Sequence, residues 1–323
     1  MSDRLKCAPL IKEIGRGKDG ARSLEREQAR ALWNGVLTRT ISDLELGAVL
    51  LAMRIKGESV DELLGFVDAT HDGLDLLADP KGATAPVVIP SYNGARHMAN
   101  LVPLLACMLA ARGIPVLVHG VPADPMAAAR AHGARVTTAE IFASMALPVV
   151  TVHANIDAAL AAAVAARKPL FVPVGVLAPA LSSILDLRPV LGVRNSSHSL
   201  CKLLQPFAVP ALRLASYTHP EYQVLLSAFF ERSGADVLMM RATEGEPVAN
   251  ARRAQRVDWF HAGVCKTVVT PEAVAATTSV LPESRDATLT ALWTHSVLAG
   301  DIAPPDALVD QIDAITAALA AIA

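Results

Sequence analysis

Aromatic rings, closely spaced cysteines and an excess of charge are all scarce in this sequence. Aromatic residues make up 4% of the 323 residues, and the four cysteines are too far apart in sequence for a metal-ligand motif: Cys7, Cys107, Cys201 and Cys265. The net charge is −2, so binding to nucleic acid would need a local basic patch. With 52% hydrophobic residues and few rings, the core must consist of Ala, Leu and Val, which favours helices packed on a parallel sheet.

Long hydrophobic runs are also missing. Charges and prolines interrupt the alanine-rich segments well short of the ~20 residues that a membrane-spanning helix needs. Residues 1–12 are charged and lack the apolar stretch that a signal peptide carries. These absences predict a cytoplasmic protein that does not enter a membrane. Its length suits one large domain with a smaller appendage, or two ordinary domains.

Residues 1–82 have the pattern of an all-helical domain. Two capping boxes, Ser42-x-x-Glu45 and Ser59-x-x-Glu62, mark helix starts. Four apolar residues then share one helical face: Leu44, Ala48, Leu51 and Ile55. Asp79-Pro-Lys-Gly82 breaks the pattern and predicts a hinge. Because a domain this small cannot bury a broad apolar surface alone, we expect a homodimer formed through these helices.

After the hinge, short apolar strands alternate with helices. Val87 to Gly120 reads as a strand, an Asn-Gly turn, a helix over about 100–112 and a second strand, so these two strands should be parallel. Further strands are predicted at 149–153, 170–174, 212–217 and 236–240. Further helices are predicted near 125–132, 156–167, 178–187, 220–233, 271–280, 286–299 and 305–322. Residues 241–270 are predicted to be irregular and polar.

The loop after the first strand is the place where we expect a ligand. In a βαβ unit this loop faces the N-terminus of the helix, where free backbone N–H groups attract phosphate. Here the loop contains Tyr92, Arg96 and His97 but only one glycine, Gly94. Its side chains hinder close approach of a phosphate to the backbone, and Arg96 adds a cation.

Four segments carry a family resemblance. They are Val118-His-Gly120, Arg188-Pro-Val-Leu-Gly-Val-Arg194, Lys202-Leu-Leu-Gln-Pro206 and Arg241-Ala-Thr-Glu-Gly-Glu246. In this order they resemble the Lys-His-Gly-Asn, Arg-x-x-Leu-Gly-x-Arg and Asn-Leu-Leu-Gly-Pro motifs and the acidic metal pair of the anthranilate phosphoribosyltransferase family, glycosyltransferase family 3. The resemblance implies an α/β fold of the nucleoside phosphorylase/phosphoribosyltransferase type. Its small helical dimerisation domain would comprise 1–82 and about 176–205, and a large domain with a mixed, mainly parallel sheet would comprise 83–175 and 206–323.

Several positions depart from the family pattern. Ser91-Tyr-Asn-Gly-Ala-Arg96 replaces the Gly-Thr-Gly-Gly-Asp phosphoribosyl loop, and only Asn100 remains of an Asn-x-Ser-Thr motif whose hydroxyls bind phosphate. Val118 and Val121 replace the Lys and Asn that flank His-Gly, and residues 195–201 form a short insertion. This combination is similar to the YbiB-type branch, described as nucleic-acid-binding homologues rather than tryptophan-pathway enzymes.

The resemblance also implies site residues. A substrate-like pocket would include Tyr92, Asn93, Gly94, Asn100, His119, Gly120 and Arg188. Arg188 matches the arginine that meets the anthranilate carboxylate, although it could instead form an ion pair with Asp186. Glu244 and Glu246, separated by one glycine, could hold Mg²⁺ or could be solvated partners of arginines. We assign no catalytic residue, and no cofactor other than Mg²⁺ if the protein is an enzyme.

Positive charge is concentrated in the second half of the chain. Residues 188–266 contain ten Lys and Arg and six Asp and Glu, so they carry +4 while the rest of the chain carries −6. Arginines lie next to Trp259 and Phe260, which suits phosphate contacts beside stacking platforms, although a solvated loop has the same pattern. The candidate nucleic-acid contacts are Arg96, Arg194, Lys202, Arg241, Arg252, Arg253 and Arg256.

Two functions follow from this pattern. The first is a sequence-nonspecific DNA- or RNA-binding homodimer on a phosphoribosyltransferase-like scaffold, because no motif that reads base sequence is present. The second is a Mg²⁺-dependent phosphoribosyltransferase that acts on anthranilate or on an unknown acceptor. Each lost hydroxyl donor could weaken phosphate binding by ~1–3 kcal/mol, which favours the first function.

Overall fold

The computed structural model describes residues 5–17, 19–127, 134–253, 255–271 and 280–322. Four helices form the N-terminal region: α1 (Cys7–Ile14), α2 (Arg26–Leu37), α3 (Asp43–Lys56) and α4 (Val60–Asp72). The capping boxes predicted at Ser42 and Ser59 are confirmed, since each hydroxyl accepts the N–H of the glutamate three residues later. The sequence therefore places both helix starts correctly.

Helices α2 and α4 pack closely together because a glycine lies at their contact. A Cβ atom on Gly65 would come within 2.2 Å of the Arg26 carbonyl oxygen. Beside this contact Trp33 stacks on Phe66, with ring centroids 4.8 Å apart, and its indole N–H donates to Thr70. These buried rings and the close helix contact fix α2 against α4.

A seven-stranded sheet follows. Its strands are β1 (Val87–Ser91), β2 (Val116–Gly120), β3 (Leu170–Pro173), β4 (Leu212–Tyr217), β5 (Val237–Arg241), β6 (Val257–His261) and β7 (Val264–Val269). The order is β3-β2-β1-β4-β5-β6-β7. Strands β1 to β5 are parallel to one another, β6 is antiparallel to β5, and β7 is antiparallel to β6, which confirms the expected mixed, mainly parallel sheet.

Helices cover both faces of the sheet. They are α5 (Val102–Ala111), α6 (Thr138–Ser144), α7 (Ile156–Ala165), α8 (Val174–Leu177), α9 (Pro179–Leu185), α10 (Arg188–Leu191), α11 (Ser197–Leu200), α12 (Pro220–Ser233), α13 (Ala287–Ala299) and α14 (Asp306–Leu319). The β3–β4 connection returns to the N-terminal helices, where α9 contacts α2 and α11 contacts α4. One hydrophobic cluster joins these helices to one face of the sheet, while α5 and α14 pack on the other face. The domain boundaries stay a prediction.

Two sequence predictions differ from the structure. Residues 149–153 are not a strand, since Val149 makes a single bridge to Phe171 and a 3-10 turn follows at His153–Asn155. Within 241–270, predicted to be irregular, β6 and β7 form a hairpin with a two-residue turn, Ala262-Gly263, at φ +48° and +81°. Most of the helices predicted near 125–132 and 271–280 lies outside the described residues.

The sheet grows in both directions from β1, which makes β1 and β4 its topological switch point. Such crevices, at the carboxyl ends of the strands, are where open α/β sheets bind ligands. Gly120 is required there, because a Cβ atom on it would lie 1.7 Å from the Ser91 carbonyl oxygen. Among the helices that the structure describes, none is long and apolar enough to span a membrane.

Candidate functional site

The loop that follows β1 is fixed by glycine and by a neighbouring segment. Gly94 has φ +66°, and a Cβ atom there would lie 2.7 Å from the carbonyl oxygen of Val136. Ala95 exchanges two backbone hydrogen bonds with Val136, at 2.7 and 3.1 Å. These contacts hold the backbone N–H groups on either side of Gly94 in place.

Glu246, which follows β5, binds the first part of this loop. Its Oε1 atom accepts the backbone N–H groups of Asn93 at 2.6 Å and Gly94 at 2.7 Å. The side chain is buried, and burial raises the pKa of its carboxyl, whereas Lys202 and the loop amides lower it. Gly245 permits the approach, because a Cβ atom there would lie 2.4 Å from Asn93 Nδ2.

Glu244 binds the second part of the loop. It adopts φ +52°, which is uncommon outside glycine. Its Oε2 atom accepts the Arg96 N–H at 2.6 Å and the Met98 N–H at 3.4 Å, and its Oε1 atom accepts the His97 N–H at 2.8 Å. We call the five N–H groups that the two carboxylates bind the amide cradle: those of Asn93, Gly94, Arg96, His97 and Met98. The chain's own carboxylates therefore fill the place where the sequence predicts a ligand.

This arrangement bears on the predicted magnesium site. Both oxygens of Glu244 and one oxygen of Glu246 face N–H donors, so these lone pairs are not available to a cation. In the part of the chain that the structure describes, no group of three or more His, Cys, Asp or Glu residues could hold a metal ion. Three of the four carboxylate oxygens are thus engaged by the loop amides, whereas Glu246 Oε2 is buried without a hydrogen-bond partner among the described residues, and the metal role of the two glutamates stays a prediction.

Cations converge on Asn93. Arg135 Nη1 donates to its carbonyl oxygen at 3.1 Å, and Arg194 Nη2 donates to its Oδ1 at 3.0 Å. Lys202 Nζ donates to the Gly245 carbonyl oxygen at 3.3 Å, and burial lowers the pKa of this lysine. Sequence reasoning missed Arg135, since no motif connects it to a loop some forty residues earlier.

A cavity of about 310 Å³ opens beside Asn93. We call it the loop cavity; its charged lining consists of Arg135, Arg188, Arg194, Lys202, Asp124 and Asp186. The structure thus brings Arg188, Arg194 and Lys202 together with Tyr92 and Asn93, all residues that the sequence singled out. A concave site with this cationic excess suits an anionic ligand.

Three other predicted pocket residues support the loop and do not line the loop cavity. His119 is fully buried, its Nδ1 lies 2.7 Å from the Tyr92 hydroxyl, and burial lowers its pKa to about 3, which keeps it neutral at physiological pH. Asn100 accepts the Val102 N–H at 3.0 Å and donates to Thr138 at 2.7 Å. Gly120, as described above, lets β2 approach β1.

The predicted nucleic-acid contacts lie together at the carboxyl edge of the parallel strands. Four of these side chains are exposed and form no ion pair among the residues that the structure describes: Arg96, Arg241, Arg252 and Arg253. Arg256 is also exposed, but it pairs with buried Asp258 at 2.8 Å. In the helical region some exposed arginines are paired, such as Arg26 with Asp68 at 2.6 Å, whereas Arg22, Arg39 and Arg54 are exposed without an ion pair among the described residues. The edge therefore carries exposed arginines that have no direct ion-pair partner among the described residues, and the Glu244 carboxylate lies in the same loop as Arg96.

The prediction that Trp259 and Phe260 form a stacking platform is wrong for Phe260. Phe260 is fully buried and packs against Phe230, with ring centroids 5.4 Å apart. Trp259 points to the other face of the strand, where it stacks on His261 with an interplanar angle of 19°. The hairpin alternates its side chains between faces, so neighbouring rings cannot both reach a ligand.

The fold and its switch-point loop define a protein that joins a helical bundle to a phosphoribosyltransferase-like sheet. The family model "Glycosyl transferase family, helical bundle domain" matches residues 8–72. The uncharacterized protein YbiB of Escherichia coli K12 is 42% identical over 304 residues, which cover 94% of this chain and 91% of that protein. The chain therefore belongs to glycosyltransferase family 3, as a YbiB-type homologue of anthranilate phosphoribosyltransferase.

Likeness to the anthranilate phosphoribosyltransferases themselves is weaker in sequence than in fold. The enzyme of Methylorubrum extorquens PA1 is 36% identical over 97 residues, or 30% of this chain and 28% of the enzyme. The structure of the Thermus thermophilus enzyme has a TM-score of 0.68 at 20% identity, covering 97% of this chain and 88% of that one. The Saccharomyces cerevisiae enzyme in complex with PRPP and Mg has a TM-score of 0.66 at 12% identity, covering 95% and 85%. These structures share the fold.

Proposed function

We propose that this protein is a cytoplasmic, sequence-nonspecific nucleic-acid-binding homodimer on an anthranilate phosphoribosyltransferase-like scaffold. The observation that carries the proposal is the set of exposed arginines at the carboxyl edge of the sheet that have no ion-pair partner in the described part of the chain. The filled amide cradle supports it, since it leaves the site poorly suited to a small phosphorylated substrate. The proposed partner is DNA or RNA, and no cofactor is required.

The positions of the cations explain why binding should be nonspecific. Arg96 lies in the loop after β1, Arg241 ends β5, and Arg252 and Arg253 lie in the loop between β5 and β6. They therefore form a surface rather than one helix that could enter a groove. Guanidinium groups on a surface contact phosphates, which are the same in every sequence. Each phosphate contact should contribute ~0.7–0.9 to the slope of log affinity against log salt concentration.

The experiment is filter binding of single- and double-stranded DNA over a salt series. The test variant is Arg252→Ala/Arg253→Ala/Arg256→Ala, and we expect several-fold weaker binding and a shallower salt slope for unrelated sequences alike. The matched control removes three exposed but ion-paired arginines of the helical side: Arg26, Arg30 and Arg232. Equal effects in the two triple variants would show that net charge, not this edge, governs binding.

The proposed dimer uses the outer face of α3. Leu44, Leu51 and Ile55 are 85%, 48% and 62% exposed, and a shallow cavity of about 270 Å³ lies beside them against α1. A second copy of this face would cover them and would double the basic edge. Light scattering of Leu51→Glu/Ile55→Glu should give a monomer where the wild type gives a dimer; a wild-type monomer at micromolar concentration contradicts the proposal.

A second candidate function is a Mg²⁺-dependent phosphoribosyltransferase. The loop cavity favours it, since Arg188 lines this cavity, adjacent to the cradle, and could hold a carboxylate acceptor in a bidentate fashion. Phosphoribosyl diphosphate would first have to displace Glu244 and Glu246 from the loop amides. Incubation with phosphoribosyl diphosphate, Mg²⁺ and anthranilate distinguishes the two functions, because product formed at an enzyme-like rate would favour this one.

A further inference from the structure

A second cavity, of about 330 Å³, lies on the other side of the segment that carries Arg194 and Lys202. It is formed by the end of α3, this segment and the turn between β4 and α12. We call it the tyrosine cleft and define it by six lining residues: Arg54, Arg194, His198, Lys202, Tyr217 and Tyr222. Since Arg194, His198 and Lys202 also line the loop cavity, the cleft adjoins the cationic surface described above.

Aromatic rings are concentrated in this cleft. The chain has only three tyrosines, and two of them, Tyr217 and Tyr222, line the cleft with partly exposed side chains. All seven phenylalanines are buried, so they offer no ring to a ligand. In a protein this poor in aromatic residues, two accessible rings in one cavity provide the stacking surface that the sequence assigned to Trp259 and Phe260.

The charge of the cleft suits a phosphodiester. Arg54, Arg194 and Lys202 supply three positive charges, and Glu58 and Glu221 supply two negative ones, which leaves +1. A phosphodiester carries one negative charge. His198 is neutral in this surrounding, since burial, Arg194 and Arg188 lower its pKa to about 3. Its Nδ1 atom accepts the Asn195 N–H at 3.4 Å, so Nε2–H is the group that can donate a hydrogen bond.

From this juxtaposition we propose that the tyrosine cleft binds one unpaired nucleotide of a nucleic-acid strand. The base stacks on Tyr217 or Tyr222, and the phosphodiester lies between Arg194 and Lys202. The volume falls within the range of small-molecule pockets. A duplex cannot present a base face to the rings unless that base leaves the stack, so the cleft prefers single strands and frayed ends.

This inference rests on the proposed function and adds to it a preference for unpaired nucleotides. The test compares Tyr217→Ala/Tyr222→Ala with Tyr217→Phe/Tyr222→Phe, which keeps both rings and removes only the hydroxyls. Binding of a short single strand and of a blunt hairpin duplex is measured at one salt concentration by fluorescence polarisation, with thermal unfolding as a check on folding. The Ala variant should bind the single strand at least about fivefold more weakly and the duplex within twofold of wild type, and the Phe variant should match wild type.

A second measurement reports on the base itself. A single strand that contains 2-aminopurine should lose fluorescence when its base stacks in the cleft of the wild type and of the Phe variant, and should keep it with the Ala variant. Unchanged single-strand affinity in the Ala variant, or equal losses of affinity for the single strand and the duplex, would overturn the proposal that the tyrosine cleft binds a base. Either result would leave the proposed nucleic-acid binding by the exposed arginines unaffected. Failure of the wild type to bind either probe would overturn the proposed function and the cleft together.

Discussion

Replacement of Glu246 by Ala tests whether the carboxylates hold the amide cradle in place. The side chain is 2% exposed, and its Oε1 atom is the acceptor for the N–H groups of Asn93 and Gly94. A buried donor left without an acceptor costs about 1–3 kcal/mol, so two donors should lower the free energy of unfolding by about 2–6 kcal/mol. At roughly 2 °C per kcal/mol for a chain of this size, Tm should fall by roughly 4–12 °C.

Glu246→Gln is the matched control. Glutamine keeps an acceptor oxygen at the same distance from the backbone. It is uncharged, so it does not incur the cost of burying a carboxylate, which raises the pKa of Glu246. Its Tm should fall by no more than about 2 °C. Hydrogen exchange adds a local readout, because the amides of residues 93–98 should exchange faster in the Ala variant only. Equal Tm values for Ala and Gln, with unchanged exchange in this loop, would refute the reasoning.

Three further predictions follow from burial and close contacts. Burial lowers the pKa of His71 to about 4 and that of His119 to about 3, so the folded protein holds both histidines neutral above these values. As the pH drops from 6.5 to 4, the free energy of unfolding should therefore fall by up to ~1.4 kcal/mol per pH unit for each histidine. Urea titration measures this dependence, and the His71→Gln variant should show a smaller slope. Gly120→Ala should destabilise strongly and lower soluble yield, because the new Cβ atom would overlap the Ser91 carbonyl oxygen; a Tm equal to that of the wild type would contradict this contact. A thiol reagent should modify one cysteine in the native protein, the exposed Cys265, and four after denaturation.

Local signals in the sequence predict much of the fold. The capping boxes at Ser42 and Ser59, the βαβ unit from Val87 to Gly120 and the Pro179–Leu185 helix are all correct, because the capping, turn and periodicity signals of each element lie within that element. The sequence does not predict the β6–β7 hairpin, because polar residues in both strands interrupt the apolar–polar alternation that is typical of a strand. Its one usable signal was Gly263, which completes a two-residue turn with both φ angles positive.

The site was predictable in position but not in its contacts. The βαβ pattern placed it at the loop after β1, and the family resemblance singled out Glu244, Glu246 and Arg188. The bonds that fill the cradle connect residues about 150 positions apart, and periodicity carries no information about such pairs. Arg135 and the two tyrosines of the cleft likewise belong to no motif, and only the packing of distant segments brings them to the site.

The filled cradle also affects how the protein responds to the metabolites around it. An acceptor tethered in the same chain acts as an intramolecular competitor, with an effective concentration that is millimolar even for a flexible tether and is higher for a rigid one. Free phosphate, diphosphate and nucleoside triphosphates must exceed that concentration to enter the loop. Under the proposed function, a long polyanion would bind the exposed arginines of the edge through many contacts at once, whereas a small anion would first have to displace the tethered carboxylates.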